Sequence, residues 1–407
     1  MNILFIGFWG LDDPLTLATT FPNLQLLSER ANVTRIHLAT VERDGEAPPP
    51  LRLPFATTKI THQALESRPN RSLLATKLEE FRRFPRELAA AVHAHRIDVI
   101  IGRGAMAGAL AYLTAQRTNK PFYVESFEPH ADYMLESGVW SRFDPRYIFQ
   151  RFWEEKEKKY ARGLMPVAEN YRRQLQREGL AADKIVTVPC QVNLAAFAPD
   201  VAAGQTVRQR LGFPPEAIIG IYVGKFGDIY YDAEAFALFR AAADYFGPAF
   251  RLIVLTPNAL PEVRTKLAHA GIEVAQYFAT KAPHQEVPAY LSAADFAFAP
   301  IKPAQCRQYC SPVKVGEYWA SGLPVLLTEG VGDDSDIIKA EGGGAIFNVE
   351  QPESVQTALA SIAQQIAQPR YREAVRQLAI RHRSLDLSRQ AYDYFFGSEQ
   401  PHAAVPG

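Results

Sequence analysis

The segment SPVKVGEYWASGLPVLL, which begins at Ser311, combines residue types that suit the binding of an anion. Ser311 is a common N-cap and Pro312 suits the first position of a helix, so the pattern predicts a helix over 312–321 that ends before Gly322. The unpaired N–H groups and the positive dipole end of such a helix attract phosphate and carboxylate groups. Glu317 follows one turn inside the helix. The alternative is an ordinary helix that carries a solvated glutamate.

Two glycine-rich loops that follow predicted strands offer further binding groups. The loop GKFGDIYYD begins at Gly224 and carries the cation of Lys225, for which a surface lysine is the alternative. Gly7 and Gly10 bracket the turn GFWG after the first strand, where glycine permits the backbone to contact an oxyanion. Trp9 forms a wall of that site, or else belongs to the core beneath a tight turn.

Two histidines are candidates for hydrogen bonding or proton transfer. His130 is predicted to lie in a loop after the strand PFYVES, and His284 precedes a predicted helix over 286–294. An imidazole can bind a substrate hydroxyl or assist the movement of a proton near neutral pH. For both residues the alternative is a structural hydrogen bond.

Other patterns give weaker signals. GRGAMAG is a near miss for the dinucleotide fingerprint and does not follow the first strand. Cys306 and Cys310 have no nearby histidine, so we interpret them as free thiols rather than as metal ligands. FRRFPR (81–86) mixes basic and aromatic residues, which indicates contact with a membrane surface or, alternatively, a solvated helix face.

The elements that must position these groups alternate between β-rich runs and helical stretches. This alternation predicts parallel sheets with helices on both faces. We predict strands at 2–7, 33–39, 97–102, 121–126, 164–168, 184–189, 218–224, 250–256, 272–277, 295–301 and 324–328. We predict the longer helices at 71–95 (interrupted by Pro85), 104–118, 146–161, 232–244 and 260–270, a helical stretch at 352–396, and a first helix that begins at Pro14.

The pattern restarts after residue 190, which predicts two doubly wound α/β domains. We place the first at 1–195 and the second at 200–380, with a C-terminal helix at about 383–400 that returns to the first domain. Ligands of such sheets bind beyond the carboxyl ends of the strands, which is where the loops named above are predicted to lie.

Composition excludes several classes of protein. Lys plus Arg and Asp plus Glu both number 44, and a dedicated nucleic-acid-binding protein would show a basic excess. No apolar run approaches the roughly 18 residues of a membrane span. The N-terminus lacks the features of a signal peptide, and three cysteines are too few for a disulfide framework. We therefore expect a cytoplasmic protein, with peripheral membrane contact through the first domain as an open alternative.

Three ordered segments together resemble one known family. SPVKVGEYWASGLPV is similar to the donor-site signature of the GT-B glycosyltransferases of family 4, which are retaining nucleotide-sugar transferases. VPCQVNLAAFAP (188–199) resembles the interdomain stretch of that family, and HQEVPAYLSAADFAFAPI (284–301) resembles the helix and strand before its donor loop. LSRQAYDYFF (387–396) is similar to the helix that crosses back onto the first domain. The resemblance implies the GT-B fold, in which two Rossmann-like parallel-sheet domains face a cleft.

The resemblance also implies roles for residues of the second domain. The glutamate that matches Glu317 holds the ribose hydroxyls of the donor, which suits a carboxylate because it accepts two hydrogen bonds from a diol. Tyr309 stands where family members often carry a second glutamate that contacts the transferred sugar. Lys225 matches the first cation of a diphosphate clamp. The second clamp cation has no counterpart nearby, and Lys314 is a candidate for its charge. The remaining expected donor contacts are the backbone of Ser311, Pro312 and Val313, and possible base contacts from Lys281, Pro283 and His284.

In the first domain, the resemblance places the loop of Gly10 near the diphosphate and His130 beside the reacting sugar. It implies a hexosyltransferase-type, retaining, metal-independent reaction without a cofactor, in which the nucleoside-diphosphate sugar is a substrate. The acceptor is a glycan, a lipid-linked glycan or a small molecule. Two alternatives stay open. One is an inactive nucleotide-sugar-binding subunit, and the other is a nicotinamide-dependent oxidoreductase, for which GFWG and Glu42 match the fingerprint poorly.

Overall fold

The computed structural model describes residues 1–13, 16–43, 50–68 and 72–397. The chain forms two compact units. The first comprises Met1–Cys190 together with the segment that begins at Leu385, and the second comprises Gln191–Ser384. Within the described ranges, no helix is both long and apolar enough to cross a membrane.

The first unit is built on a parallel sheet. Its described strands are β1 (Asn2–Gly7), β2 (Arg35–Glu42), β3 (Ile60–Glu66), β4 (Val99–Arg103), β5 (Phe122–Phe127) and β6 (Gly163–Pro166). They pair in the order β3-β2-β1-β4-β5-β6. Its helices up to residue 190 are α1 (Phe21–Glu29), α2 (Leu73–Ala94), α3 (Ala105–Thr118), α4 (His130–Glu136), α5 (Pro145–Tyr160) and α6 (Glu169–Arg177). This is the strand order of the Rossmann fold, and the order reverses between β1 and β4.

The second unit repeats this architecture. Its strands are β7 (Ile218–Val223), β8 (Phe250–Leu255), β9 (Tyr277–Thr280), β10 (Phe296–Ala299), β11 (Val325–Thr328) and β12 (Gly344–Phe347). They pair in the order β12-β11-β10-β7-β8-β9, so the switch point lies between β7 and β10. Its helices are α7 (Val201–Arg210), α8 (Ala233–Phe246), α9 (Leu260–His269), α10 (Val287–Ala293), α11 (Val313–Ala320), α12 (Asp334–Glu341), α13 (Pro352–Ile366) and α14 (Tyr371–Arg383).

The last described helix, α15 (Asp386–Phe396), packs on the sheet of the first unit. Phe395 and Phe396 both contact the ring of Tyr123 on β5. The hydroxyl of Tyr392 donates to the buried Glu125 carboxylate, which also pairs with Arg103 at 3.0 Å. A buried carboxylate needs such partners because desolvation of an unpaired charge is costly.

Most of the predicted central strands are confirmed because they are buried on both faces and therefore consist of continuous apolar runs. Several predictions are wrong. The stretch 184–189 forms only a single bridge between Ile185 and Leu164, and β9 lies at Tyr277–Thr280, beyond the predicted 272–277. Pro85 does not end its helix, since α2 continues past it. The elements that the sequence analysis missed are β3, α4, α7, α12 and β12. The predicted helix start at Pro14 lies outside the described residues.

Candidate functional site

Helix α11 is fixed against the sheet of the second unit at the switch point. The Tyr318 hydroxyl accepts a hydrogen bond from the backbone N–H of Val223, at the end of β7, at 2.9 Å. The Trp319 indole donates to the carbonyl of Gly343, also at 2.9 Å. The Tyr318 bond ties α11 to the end of β7, at the carboxyl edge of the sheet where ligands of such folds bind, and the Trp319 bond ties the last turn of the helix to the residue before β12.

The ends of α11 differ slightly from the prediction. The helix begins at Val313 and its N-cap is Pro312, so the prediction that Ser311 is the cap is wrong. The Ser311 hydroxyl instead accepts a hydrogen bond from the guanidinium of Arg383. Gly322 follows the helix with a φ of +73°, as expected for a glycine that ends a helix.

Lys314, in the first turn of α11, carries a buried ammonium group. Its Nζ atom has no hydrogen-bond partner among the described residues. It lies 3.9 Å from the ring centroid of Tyr230 and 5.1 Å from that of Tyr222, so it contacts two aromatic faces. Burial lowers the pKa of Lys314 to about 7, and the nearby Glu317 carboxylate acts in the opposite direction. A buried lysine whose nitrogen has no hydrogen-bond acceptor indicates a site for an anion, because an anion would favour the charged form of the lysine.

Gly224 provides the space that Lys314 occupies. A Cβ atom added at Gly224 would lie 2.6 Å from the lysine Nζ, and the φ of +145° at this position disfavours any other residue. Gly224 is the first residue after β7, at the switch point of the sheet. The glycine therefore brings the loop backbone and the ammonium group together.

Glu317 lies one turn beyond Lys314, and its side chain is mostly buried. Its Oε1 atom lies 2.9 Å from Nε2 of His284. This hydrogen bond raises the pKa of His284 above its ordinary value, while burial acts in the opposite direction. The ring of Phe197 contacts the imidazole at a centroid distance of 5.5 Å. The carboxylate is thereby oriented through one oxygen atom.

Lys225, in the same loop as Gly224, has a different environment. Its ammonium group pairs with the Asp228 carboxylate at 2.6 Å, and both side chains are exposed. The backbone of the loop is tied to the segment after β10, because the N–H of Tyr231 donates to Pro300 and that of Lys302 donates to Ile229. An exposed ion pair contributes little stability, so Lys225 can exchange its partner at low cost.

The segment before α11 is supported by buried charge. Arg383, at the end of α14, pairs with the buried Asp334 carboxylate and packs its side chain over Gly316. Tyr309 lies half-buried in a short 3-10 turn that precedes the helix. The ion pair therefore holds the chain that leads into α11 against the rest of the second unit.

The predicted donor contacts divide into two groups. The structure brings Lys314, Glu317 and His284 together around the first turns of α11. Lys281 and Pro283 are exposed in the segment that connects β9 to His284. The carbonyls of Lys281 and Pro283 accept hydrogen bonds from the Thr280 hydroxyl and from the N–H of Glu286.

In the first unit, the turn after β1 is held by acidic and basic side chains of β2 and its continuation. The N–H of Leu11 donates to the Glu42 carboxylate at 2.9 Å, and a Cβ at Gly10 would lie 2.6 Å from the same group. Arg43 donates to the carbonyl of Phe8 at 2.8 Å. Glu42 therefore binds the protein's own loop, which does not favour its use as the ribose ligand of a nicotinamide cofactor.

His130 is the first residue of α4, so the prediction that it lies in a loop is wrong. Its imidazole contacts the edge of Trp140, and burial lowers its pKa below the ordinary value. The next N–H, that of Ala131, donates to the Glu154 carboxylate at 3.0 Å. Burial raises the pKa of Glu154 to about 7.

Two family models match the chain and together cover about three quarters of it. The glycosyl transferase 4-like domain matches residues 30–191, and the glycosyl transferases group 1 domain matches residues 219–365. The chain belongs to the family 4-like glycosyltransferases. It is therefore a transferase enzyme, and the prediction of this family from SPVKVGEYWASGLPV is confirmed.

Solved structures support the GT-B fold of the glycosyltransferase. Sucrose-phosphate synthase from Thermosynechococcus elongatus is 17% identical, with a TM-score of 0.75 over 98% of this chain and 100% of the other. HepE of Anabaena, in complex with UDP and glucose, is 12% identical, with a TM-score of 0.68 over 97% of this chain and 99% of the other. WaaG, a glycosyltransferase involved in lipopolysaccharide biosynthesis, is 14% identical, with a TM-score of 0.67 over 97% of this chain and 100% of the other. No curated protein sequence matches the chain.

The sequence analysis of the glycosyltransferase missed the contribution of Gly224, Tyr230 and Arg383. A glycine directly after a buried strand is a sequence signal that another group approaches the backbone closely, and Gly224 is such a glycine. No local signal links Arg383 to Ser311, because the two residues are far apart in the chain. Among the described residues, no group of three or more His, Cys, Asp or Glu side chains is arranged to hold a metal ion.

Proposed function

We propose that this glycosyltransferase uses a nucleoside-diphosphate sugar as its donor and binds it at the carboxyl edge of the second sheet. The observation that carries this proposal is the buried ammonium of Lys314, which has no hydrogen-bond partner among the described residues and lies one turn before Glu317. A diphosphate would provide the acceptor atoms that Lys314 lacks. Glu317 would accept hydrogen bonds from the ribose hydroxyls through the oxygen that does not contact His284.

The surrounding groups fit the same donor. Lys225 would exchange Asp228 for the diphosphate and thereby supply a second cation. Backbone groups at Ser311, Pro312 and Val313 lie at the helix N-terminus, where the dipole favours the leaving phosphates. The segment from Lys281 to His284 would contact the base. HepE of Anabaena, a protein of the same fold, is solved in complex with UDP and glucose, which supports a nucleotide-sugar donor here.

We further propose that the reaction is of the hexosyltransferase type, retains the anomeric configuration and requires no divalent cation. The cations of Lys314 and Lys225 would neutralise the charge that develops on the leaving diphosphate. His130, on the first unit, would contact the transferred sugar. The leaving phosphate would help to deprotonate the acceptor hydroxyl in a front-face displacement. The acceptor would be a glycan, a lipid-linked glycan or a small molecule.

A thermal-shift series tests the donor class. The protein is heated with UDP-, GDP-, ADP- and TDP-sugars, and a donor present at 100 times its dissociation constant adds about 2.7 kcal/mol of apparent stability. The Lys314→Met variant should show a smaller shift with the nucleotide sugar at the same concentration, about 0.4–1.4 kcal/mol, whereas Lys339→Met, which removes an exposed lysine of α12, should keep the parental shift. If none of the four nucleotide sugars stabilises the protein, the proposal is contradicted.

A further inference from the structure

The first unit exposes an unusual number of large apolar side chains around α5. Phe143 is 89% exposed, Ile148 is 57% exposed and Phe152 is 51% exposed. Val139 precedes the helix and Tyr160 ends it, and both are also exposed. We call these five residues the α5 surface. Exposed apolar clusters of this kind are rare on monomeric soluble proteins and mark sites of interaction.

The part of the α5 surface that lies on the helix belongs to one face of an amphipathic helix, and Val139 and Phe143 lie in the segment before it. Residues four apart lie on one side of a helix, which places Phe152 beside Ile148 and Lys156 beside Phe152. On other sides of α5, Gln150, Glu154 and Glu157 are buried, and Phe149 and Trp153 pack on Phe81 of α2. The helix is thus already anchored to its own unit, and its exposed face is accessible to another partner.

Cationic side chains surround the apolar residues. The ammonium group of Lys156 lies over the rings of Phe152 and Tyr160, at 5.2 and 5.7 Å, and that of Lys159 lies 5.2 Å from Tyr160. Neither lysine forms an ion pair with the described residues. Arg142, between Val139 and Phe143, is exposed as well. Basic side chains beside exposed aromatic rings are typical of amphipathic helices at a membrane interface.

Some of the neighbouring charges are neutralised. Arg146 pairs with Asp144 at 2.7 Å, and Arg151 pairs with Asp132 at 3.2 Å. Glu155 and Glu178 both pair with Lys158, at 3.1 and 2.9 Å, so one negative charge of these pairs is left over. Arg142, Lys156 and Lys159 outnumber it, and the net positive charge complements an anionic surface.

The segment FRRFPR on α2, which the sequence analysis singled out, fits this role less well. Phe81 and Phe84 are buried, so the segment does not present its aromatic side chains to solvent. Arg83 pairs with Glu79 and Glu87 on its own helix. The structure thus moves the candidate surface from residues 81–86 to α5.

We propose that the α5 surface binds the interface of a membrane that contains anionic lipids. Phe143, Ile148 and Phe152 enter the boundary between head groups and acyl chains, while Lys156 and Lys159 contact the anionic head groups. This inference concerns a surface of the first unit and does not depend on the proposed donor site in the second.

Co-sedimentation with lipid vesicles tests the proposal. The full-length protein is mixed with vesicles of phosphatidylcholine alone, or of phosphatidylcholine with phosphatidylglycerol. We expect binding to the anionic vesicles and weak binding to the neutral ones. The double variant Phe143→Ser/Phe152→Ser should bind at least about tenfold more weakly, because each change removes a large apolar side chain from the lipid. The Lys156→Gln/Lys159→Gln variant should lose about fivefold for each charge.

Matched variants in the second unit control for general changes in surface character. Val201 and Val274 are also strongly exposed, so Val201→Ser/Val274→Ser should leave vesicle binding unchanged. Thermal unfolding of each variant checks that the fold is intact, and all the substituted side chains are solvent-accessible.

Three outcomes would overturn the proposal. The first is failure of the parent protein to sediment with anionic vesicles, and the second is equal binding by the serine variants of α5 and of the second unit. The third is a parent protein that self-associates without lipid and does not bind vesicles, together with a Phe143→Ser/Phe152→Ser variant that no longer self-associates. The α5 surface would then contact a second copy of the chain.

Discussion

Replacing Lys314 by methionine should stabilise the ligand-free protein and weaken its binding of nucleoside diphosphates. Methionine has a similar length and fills the space beside Gly224 and the Tyr230 ring without a charge. The same substitution removes the side-chain cation of α11 that we expect to interact directly with the diphosphate. The two effects have opposite signs, which distinguishes a binding lysine from a structural one.

The stability effect follows from the pKa of Lys314, which burial lowers from 10.5 to about 7. At a pH above the pKa of Lys314 in the unfolded chain, the lysine is neutral in both the folded and the unfolded protein. It then does not lower the free energy of unfolding. As the pH falls towards 7, the unfolded chain gains a proton that the folded chain does not, and the free energy of unfolding decreases by up to about 5 kcal/mol. Lys314→Met removes this loss. Its stabilising effect should therefore be larger by about 2 kcal/mol at about pH 7 than at about pH 9, as measured by urea unfolding.

The binding effect is measured by calorimetric titration of a nucleoside diphosphate. Hydrogen bonds to charged groups contribute about 1.5–3 kcal/mol, so the affinity of Lys314→Met should be lower by roughly 10- to 100-fold. At about pH 8 the free lysine is mostly neutral and the bound one is charged, so the parent protein should take up about one proton on binding. Titration in buffers with different ionisation enthalpies measures this uptake. The variant should show none.

A Lys314→Met variant that binds the diphosphate with parental affinity, or that is less stable than the parent at neutral pH, would refute this reasoning. Lys339→Met is the matched control, because Lys339 is exposed and pairs with Glu329 on the surface. It should change neither the affinity nor the proton uptake.

Three further predictions test the other parts of the site. Glu317→Ala should lower the affinity for the free nucleoside diphosphate by roughly 10- to 100-fold without unfolding the protein; unchanged affinity in calorimetry would mean that Glu317 does not hold the ribose. His130→Ala should lower kcat far more than it weakens nucleotide binding, and the reverse pattern in steady-state kinetics would show that His130 does not lie at the reaction centre. His269→Ala, at an exposed histidine, is the control. Turnover should persist in EDTA, because Lys314 and Lys225 balance the charge of the diphosphate; loss of activity that Mg²⁺ or Mn²⁺ restores would show that a metal ion is required.

The central strands were predictable because their physical cause is local. NILFIG, IIGIYVG and FRLIVLT are buried on both faces, and a continuous apolar run is the signature of such strands. The missed strand β3 (ITHQALE) lies at the edge of its sheet and is only partly buried, so its sequence lacks that run. KIVTVP has the composition of a strand, yet beside β6 it forms only one bridge.

The sequence could identify the elements that carry the candidate residues, but not the surroundings of their side chains. The motif around Glu317 identified the helix, and the loop GKFGDIYYD identified its neighbour. The burial of Lys314 depends on Gly224 and Tyr230, which lie far from it in sequence, and the partner of Glu317 is likewise distant. No local pattern encodes these distances, because the order of the parallel strands brings the loops together. The short helix α4 was missed because His130 follows a proline and has no side-chain cap.

A crystal structure of the protein with a bound nucleoside diphosphate would test the donor site most directly. We predict that the diphosphate lies within hydrogen-bond distance of Lys314 Nζ, and that the ribose hydroxyls contact the Glu317 carboxylate. A nucleotide bound instead at the turn after β1, with Lys314 still buried against Tyr230 and without an anion, would contradict the account.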